Sequence, residues 1–343
     1  MDLHQFLSRP PGGLYLPGQE FLVKRLVAKL ANSKNIAFAA HDGWGKTILQ
    51  KEVGYALLEQ NDDLRTFHIE IQAKENPTSF LIRFTNKLCE STATKPPTHQ
   101  HTVSPDYKLL DLPEKIATRK KIRLVIFISN FQYTRQYKNY WDVLRRFSRS
   151  WKIHLRCTYC ISGSNNYIFK ELLGNSACPL QGFGSLYSLQ RNQVATYTSY
   201  IRGLFLNGDK MIDASAARSI ACKTDSHLFY LQLLAWHAFT KTDSFCTASI
   251  VDDAYKNLVY HYEPHMRDMG NRLTQKQLNY LRALLNHTEN ICSKDSLEHY
   301  KLGRSSNIAR VKQSLMIKGI IEIQNGVVMI VDPLFSYWLK KHT

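Results

Sequence analysis

Apolar side chains in the first part of the chain alternate between helical spacing and short unbroken runs. Leu22, Leu26 and Leu30 recur at the spacing of a helix within 21–32, and the apolar run NIAFAA follows at 35–40. The turn HDGWGKT then leads into a second helical pattern, TILQKEVGYALLEQ. Strand, glycine-containing turn and helix in this order predict the opening of an α/β unit.

The same alternation continues to about residue 164. Further strands are predicted at 65–72, 122–132 and 156–164, and helices at 79–90, up to about 115, and at 140–151. The run IRLVIFISNFQ is almost continuously apolar, which is typical of a strand in the centre of a parallel sheet. Strands that alternate with helices, each strand apolar on both faces, predict a doubly wound parallel sheet.

The C-terminal half has a different pattern. Only helical spacing occurs from about 188 to 261. Three helical segments then follow, at 273–287, 293–302 and 305–319, before two strands that are joined through Asn325-Gly326, a strong hairpin signal. Three helices and a hairpin in this order predict a winged helix-turn-helix.

Composition excludes several classes of protein. The 343 residues are 44% hydrophobic and include 18 Tyr and 16 Phe, which is too apolar and aromatic for intrinsic disorder and enough for about two folded domains. The N-terminus MDLHQFLSRPPGG lacks the apolar core of a signal peptide, and no run approaches the length of about eighteen apolar residues that spans a membrane. Seven scattered cysteines favour reduced thiols. These observations predict a cytoplasmic protein without membrane contact.

Charge adds an expectation about partners. The formal net charge is +17, and the segment 119–156 alone holds eleven Lys or Arg residues against one acid, Asp142. A surface of one sign attracts polyanions, which here means non-specific nucleic acid, or the acidic face of a protein partner or of another protomer. A basic surface that is merely solvated is the alternative.

A phosphate-binding loop follows the first strand. The segment AHDGWGKT, from Ala40 to Thr47, fits G-x-x-x-x-G-K-[ST] except that Ala40 replaces the first glycine. Backbone N–H groups of such a loop cradle phosphates, Lys46 reaches the β and γ phosphates, and Thr47 is the candidate metal ligand for Mg²⁺. The predicted cofactor is ATP or ADP. The candidate nucleotide-binding residues are Ala40, Asp42, Gly43, Trp44, Gly45, Lys46, Thr47 and Ile48.

The order of several motifs along nearly the whole chain resembles one family. These motifs are G-Q-E at 18–20, AAHDGWGKTIL, LVIFISNFQ, YCISGS, DSHLFYLQLLAW and VDPLFSYWL. The chain resembles the STAND-type AAA+ ATPases of archaea and Bacteroidetes. The resemblance implies a nucleotide-dependent switch or scaffold, with a P-loop α/β domain at 1–187, a helical lid at 188–271 and a winged helix domain at 272–343.

The departures from that family concern hydrolysis. Ser129-Asn130 stands where the family has Asp-Glu, directly before the matching Phe131-Gln132. The family's Asp holds Mg²⁺ and its Glu polarises the attacking water, and neither a serine nor an amide carries the charge for this. We therefore expect a degenerate Walker B motif, weakened Mg²⁺ binding, little or no ATP hydrolysis, and no catalytic residue that can be named with assurance.

Two other functions remain open. In the first, the chain is an active ATPase in which another acid, Glu70 or Asp42, replaces the lost carboxylates, although Asp42 beside the phosphates would weaken triphosphate binding. In the second, the chain binds DNA through the third helix of its winged helix, which carries Arg304, Arg310 and Lys312. The winged helix could equally serve as a lid, and the sequence leaves a homo-oligomer open.

Overall fold

The computed structural model describes residues 2–7, 16–97, 105–189, 191–288, 290–324 and 326–342. In chain order the helices are α1 (Leu3–Leu7), α2 (Glu20–Ala31), α3 (Lys46–Gln60), α4 (Pro77–Ser91), α5 (Leu112–Lys120), α6 (Tyr140–Ile153), α7 (Asn166–Gly174), α8 (Val194–Asn207), α9 (Ala214–Lys223), α10 (Leu228–Thr240), α11 (Ala248–Asn271), α12 (Gln275–Leu285), α13 (Lys294–His299), α14 (Ser305–Ile317) and α15 (Pro333–Lys341). The strands are β1 (Ile36–Ala39), β2 (Leu64–Glu70), β3 (Arg123–Ser129), β4 (Cys157–Gly163), β5 (Ser185–Ser188), β6 (Met211–Ile212), β7 (Phe245–Cys246), β8 (Ile321–Gln324) and β9 (Val327–Ile330).

The described residues form two compact units. The sheet unit comprises 19–42 and 46–189, and the C-terminal unit comprises the described parts of 1–18, 43–45 and 190–343. The predicted boundaries at 187 and 271 stay predictions. Among the described residues, no helix has the length and apolar character needed to cross a membrane.

The sheet unit is built on a parallel sheet, as predicted. Its five strands lie in the order β2-β3-β4-β1-β5, and every paired neighbour runs parallel. Ala39 at the end of β1 is level with Gly163 of β4, and Glu70 of β2 is level with Ser129 of β3. The carboxyl ends of these strands therefore meet at one edge, where parallel α/β sheets bind ligands.

Burial along the strands agrees with the prediction except at the edge. β1 and β4 are buried throughout, because helices cover a parallel sheet on both faces. β2 was expected to be apolar on both faces, but Arg65, His68 and Glu70 are exposed. The reason is that β2 is an edge strand with a neighbouring strand on one side only, so fewer side chains cover it on either face of the sheet.

Several elements differ from the prediction. The helix expected to end near Lys115 is a 3₁₀ turn at Tyr107–Asp111 followed by α5, which extends to Lys120. The strand β5 has the sequence SLYS, and its weak apolar pattern gave no signal. The short strands β6 and β7 interrupt a region that was expected to be only helical.

The C-terminal unit contains the predicted winged helix. Helices α12, α13 and α14 are followed by the antiparallel pair β8–β9, and Thr274 forms a capping box with Gln277 at the start of α12. Asn325 of the predicted turn lies outside the described residues, and Gly326 has a φ of +83°. The unpredicted helix α15 follows β9, and the Asp332 side chain caps it by accepting from the backbone N–H of Phe335.

Helix α6 is strongly two-sided. Leu144, Phe147 and Trp151 are buried in the core of the sheet unit, whereas Trp141 is only half-buried. The three arginines at 145, 146 and 149 are exposed, and Arg149 lies four and three residues after the other two, so that they share one side of the helix. Burial of the apolar side therefore fixes which side of α6 is exposed to water.

Candidate nucleotide-binding site

The phosphate-binding loop connects β1 to α3. Ala40 and His41 are buried directly after the strand, Asp42 is exposed, and α3 begins at Lys46. Gly43 and Gly45 have φ values of +77° and +93°, a backbone region that favours glycine. The structure thus has the strand, turn and helix that a phosphate-binding loop needs.

The ammonium group of Lys46 has a carboxylate neighbour. Lys46 Nζ lies 3.4 Å from Asp42 Oδ1, with the Lys46 side chain only 11% exposed and that of Asp42 83% exposed. The two residues belong to the same loop, so this contact is local. The Lys46 ammonium is therefore ion-paired within its own loop. The sequence predicted a negative charge of Asp42 beside the phosphates but not this pair.

We predict that Asp42→Asn tightens nucleotide binding. The amide removes a negative charge beside the phosphates and frees Lys46, and because the carboxylate is exposed the gain is limited to about two- to fivefold in Kd. ATP, which carries more charge than ADP, should gain more. Calorimetric titration of both nucleotides checks this, with Asp62→Asn, an exposed acid after α3, as the control.

The apex of the loop, Gly43 to Gly45, packs within the C-terminal unit. The backbone N–H of Phe229 donates to the carbonyl of Gly43 over 2.9 Å. A Cβ at Gly43 would lie 2.4 Å from Cε1 of His227, and a Cβ at Gly45 would lie 2.4 Å from Cδ1 of Leu16. Two residues of the HLFY segment thus lie directly against the apex, and no side chain larger than hydrogen fits at either glycine.

Two other motif segments also meet in the C-terminal unit. Tyr230 of HLFY donates its hydroxyl to Asp332 of DPLF over 2.8 Å, and burial raises the pKa of that carboxyl. The guanidinium of Arg191 lies 5.1 Å from the ring centroid of Trp44, donates to the carbonyl of Val331 and pairs with Asp225. No motif or periodicity of the sequence predicted these contacts of Arg191.

A neutral hydrogen-bond network surrounds Ser129 at the end of β3. Ser129 Oγ donates to Gln50 Oε1 over 2.9 Å, and Gln50 Nε2 donates to Ser162 Oγ over 2.8 Å. The two serine hydroxyls are 3.5 Å apart. Gln50 was not among the predicted site residues. The sequence feature that could have indicated Gln50 is a polar residue next to the buried apolar positions Leu49, Val53 and Leu57 of α3.

Asn130 and Glu70 lie next to this network. Asn130 has a φ of +57°, and its Nδ2 is 3.5 Å from Glu70 Oε2. The following Gln132 is paired with Ser164 after β4, because its Nε2 donates to Ser164 Oγ over 3.0 Å. The F-Q and G-S motifs, separate in the sequence, are therefore in direct contact.

A cavity of about 740 Å³ opens on the sheet unit beside these residues. Its lining includes the predicted residues Asp42, Lys46, Thr47, Ser129 and Asn130, together with Gln50 and Glu70. Ala40 is fully buried below the loop, and Ile48 is half-buried in the first turn of α3. The cavity combines a cation, a helix N-terminus and hydroxyl groups, which suits a phosphorylated ligand.

Comparison with known proteins is consistent with this geometry. Residues 264–341 match a family model described as "Probable winged helix domain". The solved Walker-type ATPase PABY2304 of Pyrococcus abyssi is similar at a TM-score of 0.73 and 12% identity, covering 98% of this chain and 99% of that one. The chain has the fold of the P-loop AAA+ ATPases, followed by a winged helix domain. Comparison with curated proteins finds no match.

Two further solved structures have the same fold over their whole length. The ORC2 protein of Aeropyrum pernix, in its ADPNP-ADP complexes, has a TM-score of 0.65 and 11% identity, with 98% of each chain covered. The ORC1 protein of the same organism, in complex with DNA, has a TM-score of 0.57 and 15% identity, covering 99% of this chain and 96% of that one. At these identities the likeness concerns the fold alone.

Proposed function

We propose that this protein is a STAND-type nucleotide-binding switch or scaffold that binds ATP or ADP and hydrolyses ATP little or not at all. The loop backbone, Lys46 and Thr47 supply the phosphate site. The complexes of the Aeropyrum pernix ORC2 protein with ADPNP and ADP support nucleotide binding by this fold.

The observation that carries the proposal is the neutral network of Ser129, Gln50 and Ser162. Each hydroxyl and amide in it already has a partner, and Gln50 is 5% exposed. No member carries a charge that could hold a metal or polarise water. The loss of one preorganised catalytic group commonly costs about 2.7–4 kcal/mol of transition-state stabilisation, and here two acids are replaced.

The same residues bear on the metal. Mg²⁺ prefers carboxylate and water oxygens in an octahedral arrangement, and around Thr47 the network offers neutral oxygens instead. Thr47 would hold the ion when a nucleotide is bound, and the exposed carboxylates of Asp42 and Glu70 line the same cavity. Because the Asp42 carboxylate is paired with Lys46 and the Glu70 carboxylate lies beside Asn130 Nδ2, this donor set fits Mg²⁺ poorly. Binding should therefore depend weakly on magnesium, with ADP bound at least as well as ATP.

The test combines turnover with titration. We expect ATP turnover at or below that of a Lys46→Ala control, and heats of binding for ATP and ADP with and without Mg²⁺. Magnesium-dependent turnover that Lys46→Ala abolishes would contradict the proposal. The variant Ser129→Asp with Asn130→Glu restores both acids and should raise turnover above wild type if the surrounding residues accept the charges.

Glu70 supports a second candidate, an active ATPase with an atypical acid. Its carboxylate lies beside Asn130 and lines the cavity with Lys46 and Thr47. In that case Glu70→Gln would abolish a measurable turnover while leaving nucleotide affinity unchanged. Under the main proposal there is no turnover for Glu70→Gln to remove.

One position of the winged helix favours a lid over DNA recognition, whereas two others are compatible with DNA binding. Lys318, just after α14, donates its ammonium to the carbonyl of Arg272 over 3.0 Å and to Gln277 Oε1 over 3.1 Å, so it is engaged within the unit. Arg304 and Arg310 are exposed. We propose a regulatory lid, with DNA binding through these two arginines as the alternative.

A further inference from the structure

Helix α6 presents cations that have few acidic neighbours. Arg145 pairs with Asp142 over 2.7 Å, with both side chains more than half exposed. Within the part of the chain that the structure describes, Lys138, Arg146 and Arg149 have no carboxylate at ion-pair distance. These four cations, Lys138, Arg145, Arg146 and Arg149, are called the α6 cation face below.

A cavity of about 610 Å³ lies at the start of this face. Lys138 and Arg146 are both in its lining, as are Thr78, Ser79 and Asn139, whose side chains carry hydroxyl and amide groups. The guanidinium of Arg146 lies 4.5 Å from the ring centroid of Tyr107, which also lines the cavity. Stacking holds this long side chain in place, so less rotamer freedom is lost when an anion binds.

We infer that this cavity holds a backbone phosphate of nucleic acid between Lys138 and Arg146, and that Arg145 and Arg149 contact neighbouring phosphates. The donors in the cavity are ammonium, guanidinium, hydroxyl and amide groups, which suit phosphate oxygens. Asp142 also lines the cavity, but its carboxylate accepts from Nη1 of Arg145, and the other N–H groups of this guanidinium can donate to a phosphate. The contact is with the backbone and is therefore blind to base sequence.

Nucleic acid fits this face better than an acidic protein does. Protein interfaces carry a buried apolar centre, often aromatic. Among the described residues from 105 to 156, the strongly exposed large apolar side chains are Ile153 and Leu155, at the opposite end of α6 from the cavity, and neither is aromatic. A duplex carries one charge per about 1.7 Å of its axis, so several cations on one helix can each meet a phosphate.

The experiment measures binding of the full chain to two unrelated duplex DNA sequences between about 50 and 200 mM salt. We expect equal affinity for the two sequences and a steep negative slope of log K against log salt. Lys138→Gln with Arg146→Gln should reduce the slope by about 0.9, because the two side chains hold one phosphate between them. Changing Arg145, Arg146 and Arg149 together to Ser should reduce it by about 1.8, because Arg145 and Arg149 contact two further phosphates and Lys138 still holds the first.

The matched control is Arg119→Gln with Lys120→Gln, which removes two exposed charges from the same basic segment at the end of α5. The control should keep the wild-type slope. An equal reduction of the slope in the control would mean that binding depends only on net charge, and would overturn the proposed phosphate site. Two other results would also overturn it. One is that polyglutamate competes for binding as strongly as DNA does, and the other is that Arg304→Gln with Arg310→Gln removes the whole salt slope.

The inference is independent of the nucleotide site. Lys46→Ala should bind duplex with the wild-type slope, so a failure of nucleotide binding leaves this result readable. Each variant is first compared with wild type by thermal unfolding. If the variant Lys138→Gln with Arg146→Gln unfolds at a lower temperature than wild type, the salt slope of the triple variant with Ser at 145, 146 and 149 decides the test. Its changed side chains are on the exposed side of α6.

Discussion

Replacing Lys46 by Ala is expected to raise the Kd of ADP and ATP by about 10- to 100-fold. Charge-assisted hydrogen bonds contribute about 1.5–3 kcal/mol, and each 1.4 kcal/mol is a factor of ten in affinity. Lys46 is the cation of the phosphate-binding loop and lines the cavity beside Thr47. Isothermal titration with each nucleotide measures the change, with thermal shift as the second readout.

The control for this prediction is Lys51→Ala. Lys51 lies on the same helix and lines the same cavity, but it is outside the loop motif. We expect Lys51→Ala to weaken binding no more than about threefold, the effect of an exposed charge. If both variants lose affinity equally, the cavity attracts nucleotides only through diffuse charge and the loop has no specific role. If wild type itself shows no heat and no thermal shift, the loop no longer binds nucleotide.

The second large effect concerns stability. Glu114, in the first turn of α5, accepts hydrogen bonds from the backbone N–H groups of Leu155, Arg156 and Cys157 at 3.0–3.1 Å. Glu114→Ala should lower the free energy of unfolding by about 2–4 kcal/mol, because hydrogen bonds to a charged group are strong and unpaired amides are costly. For a unit of this size that corresponds to about 4–16 °C in Tm.

The conservative variant and a surface control sharpen this prediction. Glu114→Gln retains one acceptor oxygen and should lose about half as much stability, whereas Glu90→Ala, an exposed acid near the end of α4, should change Tm by less than about 2 °C. Equal Tm values for Glu114→Ala and Glu90→Ala would show that the amides at the start of β4 find other partners.

The hydrogen bonds of the Glu114 carboxylate argue against a metal site at this position. Glu114, His154 and Cys157 place possible ligand atoms within 4.8 Å of one another. However, both Glu114 oxygens are occupied by backbone amides, and His154 Nδ1 lies 2.8 Å from the hydroxyl of Tyr159. Burial raises the pKa of the Cys157 thiol, so the thiolate that a metal needs is disfavoured. The group is a structural hydrogen-bond cluster.

Much of the fold could be predicted because its signals are local. The apolar runs of β1, β3 and β4 and the two-sided pattern of α6 follow from which side chains must leave water, and this repeats along the chain. Weak elements were missed for the same reason. β5 has only one strongly apolar residue, Leu186, and it becomes a strand because β1 offers unpaired backbone groups at its side.

The sequence by itself determined the strand, loop and helix around Lys46, the uncharged pair Ser129-Asn130 after β3, the winged helix and the basic segment, because each depends on neighbours along the chain. Only the tertiary structure decided what surrounds them. Gln50, Ser129 and Ser162 are 33 to 112 positions apart in the chain but form one hydrogen-bond network. The ring of Tyr107 likewise packs against the guanidinium of Arg146. The periodicity of the sequence does not predict such contacts, because they depend on helix packing against the sheet and on the order of the strands.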